Sequence, residues 1–234
     1  MRRQWVPPQH GAWAMLAVPY LAGLLSAGFR WPDVPLAGAW LSGYLFSYFA
    51  FLAAKTRRPA RYRAELLLYG TVAAALTAIV VLARPAVLWY APVYAALIAV
   101  NLWHAARRRE RALLNDAASV LQSCLMVLVT GGTLPAFVLC LLYFGGTVFY
   151  VKTMIRERDN PAYRRWSIAY HAAALPLAAW ATWWAAPLFA WLLVRAAVLP
   201  GRGWPPKRVG LVEIANCALL LACVVESSAV SWSA

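Results

Sequence analysis

The chain has 234 residues, 63% of them hydrophobic and 13% charged, with a net charge of +14 and a mean hydropathy of +0.61. Soluble domains carry about a quarter charged residues, so this composition excludes a water-soluble globule and defines an integral membrane protein. The positive charge does not imply nucleic-acid binding, which needs a soluble basic face; here it sits beside apolar runs, where membrane lipid head groups and topology signalling account for it.

Almost every Lys and Arg falls in Arg2-Arg3, Lys55 to Arg63, Arg107 to Arg111, Lys152 to Arg165 or Arg195 to Arg208, and only Arg30 and Arg84 stand apart. Basic residues in short loops stay on the cytoplasmic side of a membrane. The basic start leads into an apolar run without a small-residue cleavage pattern, so the first span is expected to remain as an anchor. Apolar spans of about 20 residues, the length needed to cross about 30 Å of hydrocarbon, are predicted at 10–28, 36–54, 65–83, 87–105, 113–130, 134–153 and 209–230. The stretch 166–200 lies between two basic loops expected on one face. It is therefore predicted to hold two short helices, with the turn at Ala185-Ala186-Pro187.

The predicted fold is an all-α, polytopic transmembrane bundle of about nine helices, a single membrane domain over 1–234 with its N-terminus inside and C-terminus outside. Among 13 Trp and 11 Tyr, Trp89-Tyr90, Trp103 and Trp183-Trp184 fall near predicted span ends, as interfacial anchors do. The four cysteines lie in apolar segments without CxxC spacing and are expected to be buried apolar side chains.

Lys55-Thr56 with Pro59-Ala60-Arg61-Tyr62-Arg63 resembles Lys152-Thr153 with Pro161-Ala162-Tyr163-Arg164-Arg165 about 100 residues on. Four helices separate the copies, which predicts a parallel internal repeat of about 36–130 and 134–230, with a site between the halves.

Most acids and all three histidines map to the predicted cytoplasmic ends of helices. Arg107, Glu110 and Arg111 read as a solvated loop, and Asn115-Asp116 as a cap for a helix from Ala117. Asp116, Ser119, Gln122 and Ser123 form a polar stripe at helical spacing, and such a stripe requires a cavity or a partner helix. Asn101 and His104 share one face of the fourth helix. His10, His104 and His171 share one depth but lack the close spacing that chelation favours, so no metal site is assigned. If the sixth helix continues past its basic end, Lys152 and Arg156 share a face, as do Ile155 and Asp159. Lys152 and Arg156, with Lys55 and Arg57 from the matching loop, would then surround one anion; the alternative is a topology signal with contacts to lipid head groups.

Pro8-Gln9-His10-Gly11-Ala12-Trp13-Ala14-Met15-Leu16, continuing to Pro19 and Gly23, resembles the opening signature of the YwiC-like family of bacterial membrane proteins. Asn115-Asp116 and Lys152-Thr153-Met154-Ile155-Arg156-Glu157-Arg158 resemble that family too. The resemblance implies a multi-pass protein of the bacterial cytoplasmic membrane. More distantly, Trp103 to Asp116 and Arg156 to Arg165 resemble segments of the UbiA-type prenyltransferases. Those enzymes have nine helices, a site open to the cytoplasm and two Asp-rich motifs that hold a diphosphate through Mg²⁺. This chain departs from them: the second helix ends in Lys55-Thr56-Arg57-Arg58 with no acid before Glu65, and only Glu157 and Asp159 remain in the second motif. Both carboxylate clusters that would hold Mg²⁺ are therefore missing, and the cofactor is left open, with Mg²⁺ the one named candidate.

The function expected is binding or processing of an amphiphilic anion, such as an isoprenoid phosphate or a quinone precursor, at the cytoplasmic face. Lys55, Arg57, Lys152 and Arg156, with Asn101 and Asn115, would bind its head group. His10, His104, Asp116 and Asp159 are the acid-base candidates. The alternative is a carrier or accessory subunit whose polar layer is a gate or docking surface.

Overall fold

The computed structural model describes the backbone of residues 5–7 and 10–232, and the side chains of residues 5–7 and 12–227. Helix is the regular secondary structure of the described residues, with no strand among them. The helices are α1 (His10–Ala27), α2 (Asp33–Thr56), α3 (Arg63–Ala83), α4 (Ala91–Ala106), α5 (Leu113–Cys124), α6 (Met126–Val129), α7 (Leu134–Ile155), α8 (Pro161–Ala181), α9 (Ala186–Val198) and α10 (Pro206–Trp232). Because α5 and α6 are one helix interrupted at Leu125, the described residues form nine rods, as the hydropathy pattern predicts. Short 3₁₀ turns at Pro59–Tyr62, Pro85–Tyr90 and Trp183–Ala185 lead into α3, α4 and α9. Among the described residues five helices are long and apolar enough to cross a membrane: Asp33–Thr56, Pro59–Ala83, Pro85–Ala106, Leu134–Ile155 and Pro206–Ser227.

Helix ends depart from expectation where capping chemistry outweighs the hydropathy pattern. α8 begins at Pro161, inside the predicted basic loop, because the Asn160 side chain accepts from the Tyr163 N–H at 3.1 Å and Pro161 occupies the first helical position. α7 ends at Ile155, with Arg156 as its C-cap. The helical continuation that would pair Ile155 with Asp159 does not form. α5 begins at Leu113, so Asn115 and Asp116 lie in its first turn rather than capping it. The break before α9 falls at Thr182–Ala185, slightly ahead of the expected turn.

The chain forms two compact units, Met1–Leu16 with Gly28–Ser123, and Ala17–Ala27 with Cys124–Ala234. In the first, α2 packs against α3 and α4. The Trp40 indole donates to the Leu16 carbonyl at 2.9 Å, and Phe49 stacks on Tyr69. At the start of α2, Asp33 is fully buried and accepts from the Arg30 N–H and from Arg84 Nη2, both at 2.8 Å. Arg30 and Arg84, the two basic residues outside the clusters, thus both meet Asp33.

In the second unit, α7 packs against α8 and α10, and α9 packs against α8 and α10. The last turns of α1 lie against the end of α6, where a Cβ on Gly23 would collide with Thr130 Oγ1 and the Val127 carbonyl. The close approach needs glycine at this position.

Removing one partner of a buried ion pair leaves the other charge uncompensated. Arg84→Met is expected to destabilise the protein by about 3 kcal/mol, read as thermal unfolding in detergent, and Asp33→Asn on that background to restore part of the loss.

Candidate functional site

Both α2 and α4 end on an arginine in the left-handed conformation, Arg57 at φ 55° and Arg108 at φ 56°. In each case two amides turn back to the last helical carbonyls: Arg57 N to Ala54 O and Arg58 N to Ala53 O after α2, Arg108 N to Ala105 O and Arg109 N to His104 O after α4. This termination usually places glycine where these arginines stand, since a side chain there is strained. Arg57 and Arg108 line one cavity of about 530 Å³ with Trp103, Ala106, Arg107 and Arg109. The Arg107 guanidinium lies over the Trp103 ring, 4.0 Å from its centroid. Four arginines and an aromatic wall give the cavity the chemistry of an anion site with an apolar side.

Lys55 forms an ion pair with Glu110 at 2.6 Å, at the rim of the same loop. Burial raises the Glu110 carboxyl, but the hydrogen bond and charge of Lys55, the loop backbone and Arg111 outweigh it, so the group sits below its ordinary value. The loop from Arg107 to Arg111 is therefore built around specific contacts and is more than a solvated connection. Asn115 reinforces it by donating to the Glu110 carbonyl at 2.9 Å.

Behind the cavity, the polar stripe of α5 meets a partner helix. Asn101 of α4 donates to Gln122 at 3.2 Å and accepts from Ser119 at 3.5 Å, while Ser123 donates to the Met15 carbonyl of α1. His104 is buried, its Nδ1 against the Val100 carbonyl at 2.9 Å and its ring edge-on to Trp103. Asp116 is half-buried in the first turn of α5. His10 opens α1, and its side chain lies outside the described residues.

The remaining expected residues belong to the second unit. Lys152 is half-buried near the end of α7, and Arg156 and Asp159 are exposed in the turn after it. Among the described residues there is no group of three or more His, Cys, Asp or Glu side chains placed to hold a metal ion.

The polar centre of the second unit escapes a reading by clusters. Arg195 counts with the basic cluster that runs to Arg208, but it lies within α9 with no exposed surface, bonded to Glu213, which stands about two turns inside α10. Its one sequence signal is a lone Arg with apolar residues on both sides, Trp191-Leu192-Leu193-Val194 and Ala196-Ala197-Val198.

A bundle of apolar helices with a basic, aromatic-walled cavity at one end of α2 and α4 defines a multi-helix membrane protein. Residues 6–131 match the family described as YwiC-like protein, and the chain belongs to that family. It is 36% identical over 227 residues to the Bacillus subtilis (strain 168) protein named "Uncharacterized protein YwiC", covering 93% of this chain and 95% of that one. A Haemophilus influenzae (strain ATCC 51907 / DSM 11121 / KW20 / Rd) protein is 30% identical over 221 residues, covering 90% and 93%. No solved structure matches.

The left-handed arginines yield a test that separates fold from function. Glycine at Arg57 or Arg108 should relieve backbone strain and stabilise the protein by about 1 kcal/mol, measured by thermal unfolding. The same changes should weaken retention of anionic ligands by the cavity.

Proposed function

We propose that this protein lies in the bacterial cytoplasmic membrane, basic loops inside, and binds an amphiphilic anion whose head group is held in the arginine cavity. The carrying observation is the convergence of Arg57, Arg107, Arg108 and Arg109 on one cavity beside Trp103. Two of these arginines occupy a conformation that costs stability, and strain of that kind concentrates at functional positions. Apolar side chains continue from the cavity along α4, including the exposed Ile98 and Leu102. A ligand with an acyl or prenyl tail would lie along that face while its head group met the guanidinium forks. An isoprenoid phosphate or a quinone precursor has this form. The reading rests on first-unit residues alone. His104, behind the Trp103 wall, is the nearest acid-base candidate with a defined hydrogen bond.

Mass spectrometry of lipids co-purified in mild detergent tests the ligand. The wild-type protein should retain an anionic amphiphile that an Arg57→Gln/Arg107→Gln/Arg109→Gln variant loses. Each charged hydrogen bond removed costs roughly 1.5–3 kcal/mol, about ten- to a hundredfold in affinity. Equal retention by both proteins would sink the proposal.

Orientation is tested separately, by labelling cysteines introduced beside Arg61, Arg108, Arg158 and Arg202 in intact cells. All four should be protected from an impermeant reagent, and labelling of any one from outside would refute the shared inner face.

A further inference from the structure

The interior of the second unit holds polar groups that the arginine cavity does not use. Glu213 Oε2 accepts from Tyr143 and Thr147 of α7, both at 3.1 Å, and Oε1 accepts from Arg195 of α9 and from Asn216 at 3.4 Å. Asn216 is itself held by the Trp191 indole at 3.1 Å. A carboxylate with four donors is an acceptor only, and it fixes Arg195 through Nη1.

The rest of that guanidinium is unfilled. Its Cζ lies 4.1 Å from the Tyr150 ring centroid, a contact that uses the cation's face and leaves its N–H groups unengaged. Nε and Nη2, which together form the side-on fork, have no hydrogen-bond partner among the described residues, although Arg195 is fully buried. The same holds for Tyr150 Oη, Ser167 Oγ and His171 Nε2. His171 Nδ1 contacts the Ser167 carbonyl at 2.7 Å and so must donate, which leaves Nε2 as an acceptor in the neutral ring. That nitrogen faces α7 at Gly146, where an added Cβ would stand 2.9 Å away. Gly146 and Tyr150 stand one turn apart on α7, so His171 against the first and Arg195 over the second meet the same face of that helix.

Unpaired donors and an unpaired cation edge are costly at membrane depth, and such groups mark sites. The fork matches the two oxygens of a planar carboxylate. Charge selects a monoanion: Arg195 and Glu213 already balance, so a carboxylate entering with one proton on His171 Nε2 keeps the interior neutral, whereas a dianion would not. Tyr143, Tyr150 and Cys217 are the other titratable groups around the pair. We propose that Arg195, Ser167, Tyr150 and His171 form a second ligand site, for a carboxylate, inside the helices of the second unit, on the side of α7 where Gly146 lets His171 approach closely.

The test is thermal unfolding of the purified full-length protein with sodium acetate or sodium decanoate, against sodium chloride at equal ionic strength. A carboxylate should raise the melting temperature saturably, and chloride should not. Response to acetate identifies a soluble carboxylate, and response to decanoate alone identifies the head group of a membrane amphiphile. Gly146→Ala, which pushes His171 Nε2 out of place, and Ser167→Ala, which removes one unpartnered hydroxyl, should each weaken the response at least tenfold. Arg195→Lys keeps the charge but not the fork and should abolish it. The Arg107→Gln/Arg109→Gln protein should respond normally, which separates this site from the first-unit cavity. No carboxylate-specific stabilisation, or a response unchanged in both Gly146→Ala and Ser167→Ala, overturns the proposal.

Discussion

The constraint on which this structure turns is the cost of charge in an apolar interior. A chain with so few acids and so many bases can place a cation among its helices only where an acid meets it. Asp33 is fully buried at the start of α2 and takes both the Arg30 amide and the Arg84 guanidinium. Glu213 is ringed by Arg195, Tyr143, Thr147 and Asn216 in the second unit. At both places the carboxylate is saturated and the arginine is held in one orientation.

Where water reaches the helix ends, the logic reverses. Arg57, Arg107, Arg108 and Arg109 line an open cavity with no carboxylate among its walls, and Glu110 is engaged by Lys55 instead. The backbone enforces this crowding, because the turns that end α2 and α4 place Arg57 and Arg108 at left-handed positions. A neutral residue at either position would lower the local repulsion, and glycine would also relieve the strain. The sequence spends stability here on a concentration of positive charge, and the apolar wall of Trp103 lies directly against it.

The helices themselves were largely legible. Hydropathy located the spans because an apolar run of membrane length has few other uses, and the two-helix reading of 166–200 followed from the basic loops on either side. The stripe of Ser119 and Gln122 announced a partner, which the structure supplies as Asn101. Helix ends were less legible, since they depend on a few hydrogen bonds rather than on average polarity. Asn160 and Pro161 form a start signal that a count of basic residues conceals. Of the site residues, Arg57 could be singled out from its loop, but its meeting with Arg107 to Arg109 joins residues about 50 positions apart.

The sequence by itself determined a multi-helix membrane protein of the YwiC-like family, because composition, span length and an extended likeness to relatives need no coordinates. Only the tertiary structure decided the roles of individual charges. Arg84, Arg195 and Arg107 are equivalent in a tally of basic residues, yet one faces a buried aspartate, one is locked inside a helical core and one lines an open cavity. The physical reason is that a charge takes its function from its partners and its distance from water, and both are set by helices far apart in the chain.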